Sequence, residues 1–257
     1  YNSTSAVLKG EAATAAGSWA TGGNLNTGRE SASSQNIGSA PHSALAAGNG
    51  GPPASGITEL YNGSAWTEVN NLNTVRYGAA GSGTTTAGLA FGGENYPSAS
   101  PPYQAATETW NGTCWAEVAN PGQARRFSGA AVVDNTSGLI FGGLNPGQSP
   151  SIYALTELWN GSAWTEVADL TTARYGSGGT GTVTAALAFG GDTPPNTGKT
   201  EEYNGTSWTE TTDMSTATKF MFGSGTTASA LAAGGSPALT RTEEWTNPVL
   251  VSKTLTE

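Results

Sequence analysis

The sequence predicts an all-β fold, a propeller of five four-stranded blades. Three observations carry this prediction. The phrase Asn-Gly-x-x-Trp occurs four times, its tryptophans are spaced by 49, 49 and 44 residues, and Trp19 precedes the first of them by 47. A repeat of this length with a turn signal in four copies is typical of propeller blades. The chain is also rich in glycine, with 37 residues, and only 11% of it is charged, which suits short strands and tight turns.

The copy that ends at residue 118 shows how one repeat divides into four strands. Strand a is expected at residues 76–80, strand b at 87–91, strand c at 106–110 and strand d at 114–118. A Gly-Gly pair follows strand b, and Asn-Gly connects strands c and d. Asn-Gly is a strong hairpin signal because both central residues of a type I′ turn need a positive φ.

The two ends of the repeat region predict how the ring closes. The last strand c ends at Trp245, but Thr-Asn-Pro replaces the Asn-Gly turn, and no strand d with a tryptophan follows. Trp19 belongs to a strand d that has no blade before it. We therefore expect the strand around Trp19 to pair with the strand around Trp245 and close one domain at residues 18–246. Residues 1–17 are then an N-terminal extension and residues 247–257 a tail, and a sixth blade stays open if the extension adds strands.

Alternating strand directions place the b–c and d–a connections on one face of the propeller, the loop face. The b–c loops are long and differ from one another, whereas the a–b and c–d turns are short. Irregular insertions in a repeat protein usually collect on its binding face, although neutral drift of surface loops is the alternative interpretation. The tyrosines of these loops are the candidate binding residues: Tyr96, Tyr103 and Tyr153.

Two charged series recur in phase with the repeat. The arginines, ten residues after a tryptophan, are Arg29, Arg76, Arg125 and Arg174, and the glutamates, at the start of strand c, are Glu59, Glu108, Glu157, Glu201 and Glu243. The fifth copy has Thr218 in the arginine position and Lys219 one place later. Because the Gly-Gly pair has no side chains, an arginine on strand a can reach across strand b to the glutamate. The series predicts a structural Glu–Arg bridge in most blades, with two solvated charges as the alternative.

The pattern resembles the kelch-type propeller repeat. The resemblance rests on the Gly-Gly pairs, the aromatic residue before Asn-Gly, the tryptophan after it and the arginine ten residues later, and it covers residues 19–245. The segments Leu-Ala-Phe-Gly-Gly and Trp-Asn-Gly-x-x-Trp-x-Glu-Val are similar to kelch-like repeat proteins of tailed bacteriophages, notably marine ones. This resemblance implies a structural or host-recognition role in a virion or outside the cell. The implied partners are other virion or assembly proteins, or a cell-surface glycan.

The residue inventory argues against most catalytic and metal chemistry, and we predict no catalytic residue, no metal site and no cofactor. His42 is the only histidine and Cys114 the only cysteine. Imidazole ligands for a copper site are therefore lacking, and a Ser-His-Asp triad would depend on one histidine. A net charge of −9 without a Lys/Arg cluster disfavours nucleic acid, and no apolar run is long enough for insertion in a membrane.

Two other functions stay open besides a non-enzymatic recognition module. A multivalent lectin with sugar sites between blades would use aromatic platforms such as Tyr77, Tyr175, Tyr96 or Tyr103. Differences among the b–c loops weigh against such repeated sites. A polysaccharide hydrolase would need two or three non-equivalent carboxylates around the central pocket, whereas the glutamates of strand c are equivalent by repeat. We expect the module to bind a protein or a surface glycan through the variable b–c loops.

Overall fold

The protein folds as a five-bladed β-propeller, which confirms the predicted all-β class and the number of blades. The computed structural model describes residues 24–28, 37–40, 43–48, 53–95, 102–237 and 240–247. Within this part of the chain, nineteen strands form five antiparallel sheets, and the strands of each sheet follow the order of the chain. Neighbours in sequence therefore make every hairpin, and strand direction alternates across each blade.

Each blade begins with its innermost strand. Blade 1 contains β1 (Ile37–Ala40), β2 (Ser43–Ala47), β3 (Thr58–Tyr61) and β4 (Trp66–Val69). Blade 2 contains β5 (Ala80–Thr84), β6 (Ala87–Phe91), β7 (Thr107–Trp110) and β8 (Trp115–Val118). Blade 3 contains β9 (Gly129–Asp134), β10 (Ser137–Phe141), β11 (Thr156–Trp159) and β12 (Trp164–Val167). Blade 4 contains β13 (Gly178–Thr182), β14 (Ala185–Phe189), β15 (Thr200–Tyr203) and β16 (Trp208–Glu210). Blade 5 contains β17 (Phe222–Gly225), β18 (Ser229–Ala233) and β19 (Thr242–Thr246).

The innermost strand lies later in each repeat than the sequence predicts. The expected strand a at residues 76–80 is wrong, because β5 spans Ala80–Thr84 and includes Gly81 and Gly83. The reason is the close approach of inner strands around the axis. A Cβ on Gly179 would lie 2.5 Å from the backbone oxygen of Ala130 in the neighbouring blade. Only glycine leaves room for strands that come this close.

The c–d hairpins form at Asn-Gly as predicted, but the predicted type I′ turn is wrong. Four residues, 62–65, join β3 to β4, and the N–H of Asn62 donates to the carbonyl of Ala65 at 3.2 Å. Gly63 adopts a φ of 96°, whereas Asn62 is not among the residues with positive φ. Its Oδ1 accepts the N–H groups of Ser64 and Ala65, each at 3.0 Å. Asparagine therefore closes the turn with its side chain rather than with its backbone conformation.

In blades 2, 3 and 4, a tryptophan of the outermost strand holds the blade to the one before it. In blade 4, Trp208 packs on Tyr203 of its own blade, with ring centroids 5.1 Å apart, and edge-on against Phe141 of blade 3 at 5.0 Å. Its indole N–H donates to Thr156 Oγ1 of blade 3 at 3.1 Å. The same edge contact joins Trp164 to the preceding blade. Burial of large aromatic rings between sheets provides much of the free energy that holds blades together.

The boundary between blades 4 and 5 carries the residues of a further tryptophan site, which we call the blade 5 socket. The predicted closing strand around Trp19 lies outside the described residues, and β19 is the outermost strand that is described in blade 5. A groove of about 480 Å³ follows β19 and is lined by Phe189 and Thr200 of blade 4 and by Trp245. These three occupy the repeat positions of the phenylalanine, threonine and aromatic residue that hold Trp208. The walls of the groove therefore fit an indole from a strand d.

We expect Trp19→Ala to lower the free energy of unfolding by about 3–5 kcal/mol, the usual cost of removing a buried tryptophan. The physical reason is loss of the indole that the blade 5 socket fits. Urea unfolding followed by tryptophan fluorescence measures the change. Trp208→Ala empties the equivalent socket between blades 3 and 4 and gives the reference size. An unchanged midpoint for Trp19→Ala beside a large loss for Trp208→Ala would contradict closure by this strand.

Candidate functional site

The loop face carries a buried ion pair in each of three consecutive blades, which we call the Arg–Glu clamp. In blade 2, Arg76 and Glu108 form an ion pair with both side chains fully buried. Arg76 Nη1 also donates to the carbonyls of Gly92 at 3.1 Å and Ala106 at 2.6 Å, and its Nε donates to Thr74 O at 3.1 Å. The guanidinium thus reaches across the Gly-Gly pair at the end of β6, as the sequence suggested. One side chain thus connects the end of β6, the start of β7 and the loop that enters the blade.

The glutamate of the clamp also fixes the loop that enters the blade. Glu108 accepts the backbone N–H of Asn73 at 2.7 Å and that of Thr74 at 3.1 Å, besides its contact with Arg76. Burial lowers the pKa of Arg76, while the charge of Glu108 and the hydrogen bond to it act in the opposite direction. These bonds satisfy both buried ions, which is the condition under which a buried pair is tolerated.

Blade 4 repeats this arrangement. Arg174 forms a fully buried ion pair with Glu201 and donates from Nη1 to the carbonyls of Gly190 at 3.2 Å and Lys199 at 2.6 Å. Glu201 in turn accepts the backbone N–H of Thr171 at 2.6 Å. Equivalent partners in two blades show that the clamp belongs to the repeat itself.

Blade 3 has a looser clamp. Arg125 and Glu157 are 2.7 Å apart, and Glu157 accepts the N–H of Gly122 at 2.6 Å. Arg125 Nε and Nη1, however, have no hydrogen-bond partner among the described residues, and neither does the hydroxyl of Tyr153. Burial raises the pKa of Tyr153 and lowers that of Arg125. Such orphaned buried groups are commonly satisfied by an internal water.

Blades 1 and 5 also contain the glutamate of the series. Glu59 accepts two backbone N–H groups from the segment before blade 1, while Arg29 lies outside the described residues. Glu243 accepts two backbone N–H groups as well, and its ion pair is with the exposed Arg241 at 3.0 Å. Thr218 is buried in the position of the missing arginine. The glutamate's role as an anchor for the entering loop is therefore present in all five blades.

A second set of charged groups, which the sequence analysis missed, surrounds the propeller axis on the loop face. The hydroxyl of Tyr77 donates to Glu94 Oε2 at 2.6 Å. Arg126 of the next blade forms an ion pair with Glu94 and donates to the Tyr77 oxygen at 2.8 Å. Its guanidinium carbon lies 4.8 Å from the centre of the Phe127 ring and 5.7 Å from that of Tyr103. The Arg126 cation thus lies among the rings of Phe127, Tyr103 and Tyr77, a favourable cation–π arrangement.

The same arrangement recurs two blades further on. The hydroxyl of Tyr175 donates to Asp192 Oδ2 at 2.8 Å, and Lys219 of blade 5 donates to the same oxygen at 2.6 Å. Lys219 Nζ lies 5.6 Å from the Tyr175 ring centre and 5.5 Å from that of Phe220. The hydrogen bond to Asp192 raises the pKa of Lys219, so the lysine is charged at neutral pH. We call the two sets together the axial cluster: Tyr77, Glu94, Arg126 and Phe127, with Tyr175, Asp192, Lys219 and Phe220.

Two phenylalanines of the axial cluster cover the mouth of the central channel. Phe127 and Phe220 have φ values of 57° and 58°, in the left-handed region that bulky residues rarely adopt. Their rings meet edge to face at 4.9 Å. The Phe127 ring lies over Gly78 and the Phe220 ring over Gly176, and these glycines of the neighbouring blades have similar φ values of 61° and 64°. A Cβ on Gly78 would lie 2.6 Å from the Phe127 ring. Strain of this kind persists where the surrounding structure imposes it, often at binding sites.

Backbone hydrogen bonds link these positions around the axis. Phe127 N donates to Gly78 O at 2.8 Å, Gly176 N to Phe127 O at 2.7 Å, and Phe220 N to Gly176 O at 2.7 Å. The chain of bonds passes from blade 2 to blade 5 without interruption. The mouth of the channel is therefore a rigid surface, built on backbone rather than on long side chains.

Below the axial cluster, the central channel offers little chemistry. Its volume is about 450 Å³, and its lining on blades 2 to 5 consists of glycine, alanine, serine, threonine and a few apolar residues. No ionisable side chain lines it in this part of the ring. The described residues also contain no group of three or more His, Cys, Asp or Glu placed to hold a metal ion, and no helix that could cross a membrane.

The three loop tyrosines predicted to bind a partner have different positions. Tyr103 is partly exposed beside Arg126 and joins the axial cluster. Tyr153 is only 6% exposed and packs towards Arg125, so its side chain does not form part of the open loop surface. Tyr96 lies outside the described residues. The structure therefore brings one of the three to the axis.

Comparison of the chain with models of known protein families finds no match. A search of curated proteins finds no match either. The likeness to kelch-type repeats therefore rests on the repeat residues and on the five-bladed fold.

Sequence reasoning named Tyr77 and Tyr175 as possible sugar platforms and noted Lys219, but it missed Arg126, Glu94 and Asp192 and the way in which these residues meet. Tyr77, Arg126, Tyr175 and Lys219 each occupy the position after the arginine or its replacement, and the acids Glu94 and Asp192 follow a Gly-Gly pair. A comparison of alternate repeats would have detected them, because the residue in this position is a tyrosine in blades 2 and 4 and a cation in blades 3 and 5. Lys219 therefore aligns with Arg126 and does not replace the missing clamp arginine.

The buried clamp in blade 2 predicts strong coupling between its partners. We expect Arg76→Met and Glu108→Gln each to lower the free energy of unfolding by about 3–5 kcal/mol. Each substitution leaves the other side chain of the pair buried without its oppositely charged partner. The double variant should cost clearly less than the sum of the two. Urea unfolding of the four proteins in a double-mutant cycle measures the coupling, and a value near zero would contradict the clamp. Glu243→Gln, which affects a partly exposed pair, is the control and should cost less.

Tyr77 predicts an alkaline loss of stability. Burial, assisted by the hydrogen bond to Glu94, raises the pKa of Tyr77 to about 12 from 10.0. The folded protein therefore keeps this proton at a pH where the unfolded chain has lost it, so this contribution to stability is complete below pH 10 and falls as the pH rises towards 12. The stability difference between the wild type and Tyr77→Phe should shrink over this window in urea unfolding experiments. A difference that does not change between pH 9 and pH 11.5 would refute the assignment.

Proposed function

We propose that this protein is a non-enzymatic recognition module that binds a protein or a surface glycan through its loop face. The observation that carries the proposal is the axial cluster, where aromatic rings and hydrogen-bonded ion pairs meet at the centre of that face. Partly exposed aromatic and arginine side chains on a rigid base are typical of binding hot spots. The Arg–Glu clamps supply the rigid base, since they fix the segment that immediately precedes the cluster.

The placement of the carboxylates supports recognition over hydrolysis. Retaining and inverting glycosidases use two carboxyl groups that flank the scissile bond, one of which has to hold a proton. The strand-c glutamates of blades 2 to 4 instead form ion pairs with arginine and accept hydrogen bonds from backbone N–H groups. Glu94 and Asp192 are each paired with a cation and a tyrosine hydroxyl. These contacts hold the acids as structural and binding groups.

The repeat pattern supports a place on a virion or another extracellular assembly. The resemblance to kelch-type repeats of tailed bacteriophages suggests a tail, fibre or capsid decoration that contacts neighbouring assembly proteins or a host surface. The short turns on the opposite face would suit attachment to the assembly, because they leave the variable loops free to meet a partner.

Blocking one face at a time tests the proposal. Cys114 is exposed in a c–d hairpin on the face opposite the loops, and Gln148 is exposed in the b–c loop of blade 3. A bulky maleimide polymer on Cys114 leaves the loop face open, whereas the same polymer on Gln148→Cys in a Cys114→Ser background covers it. Binding of the fluorescent chain to a panel of whole bacterial cells, which present both proteins and glycans, is the readout.

We expect the loop-face polymer to weaken cell binding at least about tenfold, equivalent to about 1.4 kcal/mol, and the polymer on Cys114 to leave it unchanged. Equal blocking from both faces would refute recognition through the loops. Release of reducing sugar ends from polysaccharides by the purified chain would refute the non-enzymatic assignment. Purified source particles that lack the chain would remove the virion placement and leave the binding face as proposed.

A further inference from the structure

The axial cluster repeats every two blades rather than every blade. Blades 2 and 3 together form one unit, which we call subsite A, and blades 4 and 5 form a second, subsite B. Each unit joins a tyrosine and an acid from its first blade to a cation and a phenylalanine from its second. The paired positions are Tyr77 with Tyr175, Glu94 with Asp192, Arg126 with Lys219, and Phe127 with Phe220.

The two subsites share a geometry as well as a composition. In each, the tyrosine hydroxyl and the cation contact the same carboxylate oxygen, at distances such as 2.8 and 2.6 Å around Asp192 Oδ2. In each, the cation also lies over an aromatic ring of its own blade. Arg126 and Lys219 keep 20% and 24% of their side chains exposed, so both subsites open to the loop face. A ligand that contains the same group twice could use both.

Each subsite also holds a buried polar atom without a partner in the described structure. In subsite B this atom is Asp192 Oδ1, a hydrogen-bond acceptor, and in subsite A it is Arg126 Nε, a donor. A hydroxyl group is both donor and acceptor, so the same ligand group can satisfy either atom, directly or through one water. A carboxylate, a phosphate or an ammonium group could satisfy only one of them.

The charges of the two subsites also favour an uncharged ligand. Each subsite contains one carboxylate and one cation, so neither presents net charge to a ligand. The whole chain carries a net charge of −9, which disfavours a polyanion. The rings of Tyr103, Phe127 and Phe220 offer apolar faces beside the polar groups, and such a combination fits the C–H face and the hydroxyl edge of a pyranose.

We propose that subsites A and B together bind a neutral carbohydrate with a repeating unit, one unit in each subsite. This inference rests on the proposed function and names the ligand class of the same face. Two linked sites raise the affinity well above that of either site, provided that the ligand spans both. The described residues hold two such units, so we expect two linked sites.

An array of neutral and anionic oligosaccharides, including polymers of neutral hexoses, tests the proposal. Tyr77→Phe and Tyr175→Phe each remove one hydroxyl from a subsite and keep both members of its ion pair. Thr206→Ala, at an exposed position in a c–d hairpin on the opposite face, is the matched control. Thermal unfolding of every variant shows that the fold is retained. Affinities for the array's best neutral glycan are measured by calorimetry for its oligomer and for its single repeating unit.

We expect each tyrosine variant to weaken binding of the oligomer about tenfold, which corresponds to one lost hydrogen bond with a buried partner. The double variant should weaken it further, and the control should match the wild type. The single unit should bind two sites of similar affinity on the wild-type chain, whereas on Tyr175→Phe one of the two sites should bind it about tenfold more weakly.

Three outcomes would overturn the inference. Glycan binding that neither tyrosine variant affects would remove the subsites, and a strict preference for anionic glycans would remove the neutral ligand class. Binding of a protein at the loop face, with no glycan bound, would exclude a carbohydrate ligand while the recognition function stands. If the loop-face polymer on Gln148→Cys blocks no binding to cells, the proposed function itself fails, which distinguishes it from failure of the carbohydrate proposal.

Discussion

The buried Arg–Glu clamp is the interaction on which the loop face depends. Two ions can stay in a dry protein interior only when hydrogen bonds satisfy them completely, and in blades 2 and 4 the backbone provides those bonds. The guanidinium therefore holds the ends of two strands, while the carboxylate holds the entering loop. Since the next residue along the chain is the axial one, the clamp fixes Tyr77 and Tyr175 at the centre of the face. A looser clamp in blade 3 still positions Arg126, with help from its ion pair to Glu94.

Close packing at the axis explains why chemistry is concentrated at the mouth of the channel. The inner strands approach so closely that glycine is required at positions such as 179 and 223, and small residues line the channel below. Side chains with functional groups find room only where the strands have not yet begun. There, the left-handed backbone of Phe127 and Phe220 turns two rings over the glycines of the preceding blades. Rigid rings and paired charges in one place support the recognition function that we propose.

The fold and the axial cluster repeat at different intervals around the ring. The fold repeats with every blade, because each sheet must bury its aromatic residues against the next. From blade 2 to blade 5 the axial chemistry repeats with every second blade, because an acid and its cation lie on neighbouring blades. A subsite that takes two blades can occur at most twice in a ring of five. An odd number of blades thus makes the loop face asymmetric even though its parts are repeats.

The sequence by itself determined the all-β class, the five blades, the hairpins at Asn-Gly and the reach of arginine across Gly-Gly, because these depend on spacing and on local backbone preference. It could not determine where the inner strand begins or how asparagine closes its turn, since glycine in a turn and glycine in a crowded strand look the same in one dimension. Tertiary structure alone decided that Tyr153 is buried and that Tyr77, Glu94 and Arg126 meet. Those contacts join different blades, and the distances between blades are set by aromatic packing that no local pattern encodes.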